Sequence, residues 1–189
     1  LAAKGRAAGY QNVILTADKD LAQLLREGDR LWDFARDRWF GVADIPDWLG
    51  VEAHQVADRL AITGDSVDNI PGVPGVGEKT ALALLQGLGG LDDIYASLDK
   101  VADLGFRGAK TMAGKLESER DKAMLSYELA TIKTDVARDE QPDQLIKGEP
   151  DKDDPWSQVM TTFGLGLNEK PMPPIPYYIP PSAPAPPAG

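Results

Sequence analysis

The sequence predicts an α/β segment, then a mainly α-helical region organised around a glycine-rich hairpin, then an irregular proline-rich tail. Three observations predict this order. A β-branched run at Asn12–Thr16 ends in a cluster of aspartates and passes into a helical pattern. Two stretches of helix-spaced apolar residues, from Val51 and from Glu78, flank a segment holding two prolines and three glycines. Nine of the fifteen prolines crowd into residues 171–189, where missing backbone donors and blocked helix interiors disfavour regular structure.

Taken in order, Leu1–Tyr10 reads as the end of a helix running into a strand, and an opening without Met suggests a fragment whose N-terminal part is absent. Asn12–Thr16 is expected to be a buried parallel strand, followed by the acidic turn Ala17-Asp18-Lys19-Asp20 and a helix from Leu21. Such a unit places carboxylates at the strand's C-terminal end, where open α/β sheets take ligands. Asp29–Gly41 reads as one or two short strands around a turn. From Val51, the residues Ala53, Val56, Ala57, Leu60 and Ala61 share one helix face that ends near Thr63-Gly64. Glu78–Leu88 is a second helix, with Ala81, Leu84, Leu85 and Leu88 inward and Gly89-Gly90 as its stop. Further helices are expected over Leu91–Ser97 and about Gly108–Ile132. The expected domains are 1–50 (α/β), 51–140 (helical) and 141–189 (acidic linker and disordered proline-rich tail).

Composition narrows the chemistry. The absence of cysteine removes thiol catalysis, disulfide scaffolds and zinc ribbons, and a single histidine, His54, leaves no histidine metal cluster. His54 is expected to face solvent. No apolar run is long enough to span a bilayer and no signal segment opens the chain, so a cytoplasmic protein without a membrane partner is expected. The net charge of −10 weighs against a nucleic-acid partner only on average, because residues 104–133 hold six basic side chains against four acidic ones. Trp32, Trp39 and Trp48 are expected to pack at the core or sheet edge rather than to stack on bases.

Two constellations bear chemistry. Asp18 and Asp20 lie two apart on a turn. Asp65 and Asp68 lie three apart, on one face if their segment is helical. Four carboxylates without Cys or His suit Mg²⁺ or Mn²⁺. The alternative is a helix cap at Asp18 and a solvated acidic turn at Asp65–Asp68. The second constellation is the run Ile70-Pro71-Gly72-Val73-Pro74-Gly75-Val76-Gly77-Glu78-Lys79-Thr80. A glycine-rich hairpin opening into a helix offers backbone amides to a phosphate, and Lys79 and Thr80 add a charge and a hydroxyl. A tight structural turn is the plainer alternative. No strand precedes the run and its lysine is displaced, so it is not a mononucleotide phosphate loop.

Together, Thr16–Leu24 (Thr-Ala-Asp-Lys-Asp-Leu-Ala-Gln-Leu), Gly64–Ala81, Phe106–Met112 and Ala130–Asp135 resemble the 5′-nuclease family. That family comprises the DNA polymerase I 5′→3′ exonuclease domain and stand-alone flap endonuclease-like 5′→3′ exonucleases. The resemblance covers roughly residues 1–140. It implies part of an α/β nuclease core with a helix–three-turn–helix (helix–hairpin–helix) DNA-binding region. It implies two-metal phosphodiester hydrolysis at 5′ ends and 5′ flaps, with Asp18, Asp20, Asp65 and Asp68 as ligands and no side-chain nucleophile. It also implies K⁺ on the backbone carbonyls of Ile62, Thr63, Pro71, Val73 and Val76. DNA contacts would fall on Gly75, Val76, Gly77, Glu78, Lys79, Thr80, Arg107 and Lys110. The family's first acidic cluster and its basic helical arch have no counterpart here, so the chain alone is expected to cut weakly, as a monomer. A non-catalytic, structure-selective DNA-binding module is the alternative. A small-molecule phosphohydrolase using Asp18 and Asp20 would leave the hairpin unexplained.

Overall fold

The computed structural model describes residues 1–136; the expected acidic linker and proline-rich tail lie outside them. The chain divides into two compact units. Among the described residues, one holds Leu1–Gln11 and the other is Asn12–Val136. In the first, helix α1 spans Ala2–Ala7, with Lys4 and Arg6 in its last turn, where cations favour the negative helix end.

In the second unit, β1 (Val13–Leu15) pairs in parallel with β2 (Arg30–Asp33), and β2 pairs antiparallel with β3 (Arg38–Phe40). The buried Asp29 carboxylate ties the starts of β1 and β2 together, accepting from the Asn12 side-chain amide at 2.7 Å and from the Arg26 backbone at 3.0 Å. Strand and direction match the sequence reading, but burial of β1 does not. Val13 is 37% and Leu15 61% exposed. These two share one face of the strand, and a parallel strand is buried only when layers cover both faces; this face is left partly open.

After β1 the chain forms a 3₁₀ turn over Lys19–Leu24 in place of the expected helix. Asp18 is extended and its carboxylate accepts from the Asp20 amide at 2.9 Å, while Ala22 and Leu25 plug the core. Three elements escaped the sequence reading: a 3₁₀ turn over Val42–Asp44, the short helix α2 (Ile45–Leu49), with Pro in its first turn and Gly50 left-handed at its end, and a 3₁₀ turn over Leu98–Leu104. Helix α3 (Val56–Thr63) follows a 3₁₀ turn at Ala53–Gln55, and Ala53, Val56, Ala57, Leu60 and Ala61 are all buried, as their spacing requires. Helix α4 occupies Glu78–Leu88 and α5 Leu91–Ala96.

The helix expected over about Gly108–Ile132 is two: α6 (Ala109–Ser118) and α7 (Arg120–Ala130). Glu119, at φ −109° and ψ 14°, leaves the helical region without a glycine or proline to announce it. The break lets α6 pack on the 98–104 turn while α7 packs on α3. On α7 the inward residues Ala123, Ser126 and Ala130 are small, which permits a close approach.

Candidate metal centre and hairpin

The aspartates of the two sequence pairs converge. One carboxylate oxygen each from Asp20, Asp65 and Asp68 lies within 4.8 Å of the others. Asp18 stands outside that triad but lines the same recess of about 390 Å³, with Ala17, Lys19, Trp48 and Val67. The segment carrying Asp65 and Asp68 is not helical. It is a turn closed by reciprocal backbone bonds between Asp65 and Ile70 (2.9 and 2.7 Å), with Asn69 at φ 57°. Turn geometry, not helix periodicity, puts the two side chains together.

The cap and the cluster prove compatible. Asp18 Oδ1 caps the Asp20 amide, and Asp65 Oδ1 accepts from the Val67 amide at 2.7 Å, so each carboxylate keeps a second oxygen outside the turn. On that side Lys19 Nζ comes to 3.9 Å of Asp65 Oδ2, a weak and half-exposed pairing. Asp20 Oδ1 is buried with no hydrogen-bond partner among the described residues. Burial first, and then the Asp18 charge, push the Asp20 carboxyl up from its ordinary range; Lys19 opposes this, and Asp65 and Asp68 add to it. An orphaned buried oxygen among crowded hard donors fits a divalent cation, which relieves both the repulsion and the lost hydration.

Beside the triad runs the hairpin. Gly64 (φ +71°) and Gly72 (φ +62°) lie back to back: a Cβ on Gly72 would sit 2.3 Å from Gly64 N, and one on Gly64 2.6 Å from Ile70 O. Val73 N donates to Ile62 O at 2.9 Å, and Gly72 N donates to the buried Ser126 hydroxyl at 2.9 Å, which donates onward to Lys122 O. The loop is thus pinned to both α3 and α7. At its exit the amides of Gly77, Glu78 and Lys79 donate to no group among the described residues, leaving free donors at the positive end of α4.

Sequence reading missed four contributors. Arg59, on α3, grips the Glu78 carboxylate with two bonds of 2.6 and 3.1 Å, cancelling a negative charge at the mouth of α4. Ser126 holds the loop amide. Gln23 brackets the end of α7, donating to Ala130 O and accepting from Ile132 N, and Ala130 and Ile132 line a second recess with Asp18, Asp20 and Asp68. Trp48 stacks on Phe40 at 3.9 Å, as an edge tryptophan should, and also walls the acidic recess. Arg59, Ser126 and Gln23 lie 19 to 109 residues from the groups they hold, and no local pattern signals such pairings. His54, Arg107 and Lys110 are exposed.

A family model for the 5′-3′ exonuclease C-terminal SAM fold matches residues 51–153, more than half of the chain. DNA polymerase I of Pseudomonas aeruginosa is 51% identical over 154 residues, covering 81% of this chain and 17% of the polymerase. Flap endonuclease Xni of Shewanella sediminis is 41% identical over 136 residues, covering 72% of this chain and 51% of the relative. The chain therefore spans about half the length of the flap endonuclease it matches. Among solved structures, bacteriophage T5 5′-exonuclease with divalent zinc ions bound superposes with a TM-score of 0.56 at 23% identity, over 68% of this chain and 47% of the T5 chain. At that identity the likeness speaks for the fold, a mostly helical architecture beside a small sheet.

Proposed function

Because this chain belongs to the 5′-3′ exonuclease family with the C-terminal SAM fold, we propose that it supplies the DNA-gripping half of a nuclease that hydrolyses phosphodiester bonds at 5′ ends and 5′ flaps. The observation that carries this reading is the meeting of Asp20, Asp65 and Asp68 oxygens within 4.8 Å, beside a loop whose exit amides are free. In this reading Asp20, Asp65 and Asp68 hold a divalent ion, Mg²⁺ or Mn²⁺, with Asp18 at the rim for a second. Bound ions of this kind polarise a phosphodiester and stabilise the leaving oxygen. The residues of the chain itself position the strand. The amides of Gly77, Glu78 and Lys79 and the Lys79 ammonium take backbone phosphates, Arg59 neutralises Glu78, and Trp48 helps keep water from the recess.

The same reading assigns K⁺ to the carbonyls of Ile62, Thr63, Pro71, Val73 and Val76. Support comes from the bond that joins the end of α3 to the hairpin; the Ile62 and Val73 carbonyls each accept one backbone bond, from Val73 N and Val76 N respectively, and keep a lone pair. DNA contacts extend to Arg107 and Lys110 at the start of α6. A cytoplasmic monomer completes the proposal; no helix of the described residues is long and apolar enough to cross a membrane. A second reading, that the 189-residue chain alone grips DNA without cutting it, is favoured by the finding of one three-carboxylate group among the described residues.

In the protein translated from the complete reading frame, Asp65→Asn combined with Asp68→Asn is expected to slow 5′-flap cleavage in Mg²⁺ by about 100-fold or more, since several kcal/mol of charge stabilisation is lost. Duplex binding should stay within a few-fold of the unmodified protein. Cleavage at the unmodified rate contradicts the assignment.

A further inference from the structure

Several cations of the helical region are spoken for: Arg59, Arg120, Lys122 and Lys133 each pair with a carboxylate. Lys115, exposed on α6, pairs with none among the described residues. Its Nζ donates instead to the Pro74 carbonyl at 3.0 Å, 41 residues away in the sequence. A Cβ built on Gly75 would lie 3.0 Å from the same nitrogen. The ammonium therefore sits on the hairpin itself, just before the free amides of Gly77, Glu78 and Lys79.

We propose that Lys115 is a phosphate-contacting residue of the hairpin, a tethered cation that binds the nucleic-acid backbone together with the amides at the start of α4. This rests on the reading of the hairpin as a DNA-binding element and adds to it a residue from a different helix. The chemistry is economical. An ammonium has three donors, of which the Pro74 carbonyl takes one. Anchoring on that carbonyl holds a flexible side chain in place before binding, which lowers the ordering cost of a contact. The absence of a side chain at Gly75 leaves the space beside Nζ open to a phosphate, and no carboxylate competes for the charge. Thr111 and Ser118 lie on the Lys115 face of α6 by helical spacing and add hydroxyl groups beside it.

A purely structural clip between α6 and the hairpin would leave a different signature, because only a phosphate contact releases a counterion. The test is the affinity of the 189-residue chain for a 5′-flap duplex, measured across a series of salt concentrations. Lys115→Met, Lys115→Arg and Lys79→Met are compared with the unmodified chain. For Lys115→Met the expected result is a 5- to 10-fold weaker Kd at low salt, with the slope of log K against log salt reduced by about one unit. Lys115→Arg should restore both. A Lys115→Met variant that weakens without a change of slope marks a clip and overturns the proposal. A Lys115→Met variant indistinguishable from the unmodified chain, while Lys79→Met loses affinity, overturns Lys115 alone. Salt-insensitive binding by every form, the unmodified chain included, overturns the hairpin reading and Lys115 with it.

Discussion

Asp20→Asn is expected to raise the melting temperature of the metal-free protein near neutral pH, and to remove the further rise that Mg²⁺ or Mn²⁺ gives the unmodified chain. Folding pushes the Asp20 carboxyl above its ordinary value, through burial and then through Asp18, with Asp65 and Asp68 adding to it. A carboxyl whose folded-state pKa is raised binds its proton more tightly in the folded state. Its contribution to stability is fully present below the ordinary aspartate value of 3.8 and is lost as pH rises through the raised value. Near neutrality the ionised group is a liability. Asparagine removes the charge and keeps the shape, so a gain of about 2–4 °C is expected, in line with relief of roughly 1 kcal/mol of partly screened repulsion.

With divalent ion the order should reverse. The unmodified chain gains by mass action from a ligand that binds only the folded state. The variant, having lost one of three convergent carboxylate charges, does not. Thermal melts at pH 4 and pH 7.5, with chelator and with Mn²⁺, separate these effects. The advantage of Asp20→Asn should shrink at pH 4, where the native carboxyl is protonated more readily. A variant less stable than the unmodified chain in chelator would mean that Asp20 is a structural acceptor and not a strained ligand.

Gly72→Ala is expected to be the most damaging small change in the hairpin, costing about 3–4 kcal/mol and lowering the melting temperature by roughly 10 °C. Two effects add. The backbone at φ +62° lies where side chains are disfavoured, and the new Cβ would fall 2.3 Å from Gly64 N and 2.6 Å from Thr63 C. Neither neighbour is a flexible side-chain end, so the loop must move away from α3. Moving it breaks the Val73 N to Ile62 O bond and strips the Gly72 amide of its Ser126 hydroxyl. Gly77→Ala is the matched control: its φ is −95° and a Cβ there meets nothing within 4 Å, so its melting temperature should stay within a degree or two. Equal melting temperatures for the two variants would show that the Gly64–Gly72 contact does not hold the hairpin.

The contrast between these glycines shows where sequence reading succeeds and where it stops. Apolar spacing located α3 and α4 because a helix buried on one face must repeat every three to four residues, and Ala53 through Ala61 do so. The hairpin was legible because proline and glycine are chosen for backbone reasons that act locally. Gly72 and Gly77 look alike in the sequence, however, and only the left-handed backbone of Gly72 and the approach of Gly64 separate them. The break at Glu119 was invisible for a related reason. The helices on either side of it pack on different elements, α6 on the 98–104 turn and α7 on α3, and no glycine or proline marks the break. At the site, both aspartate pairs could be named from their types and positions. Their convergence could not, because it depends on a turn closed by Asp65 and Ile70 and on the Gln23 amide that fixes the end of α7. The exposed Val13 and Leu15 face of β1 likewise reflects what covers a strand, a property of neighbouring layers rather than of the strand's own residues.

In the proposed function Asp20, Asp65 and Asp68 form one divalent-cation site. Anomalous diffraction from crystals of the 189-residue chain grown with Mn²⁺ tests it most directly. The expected result is an anomalous peak bounded by carboxylate oxygens of these three residues, lost on replacing Asp20 with asparagine. Saturating Mn²⁺ with no density between them, the carboxylates holding only water, would contradict it.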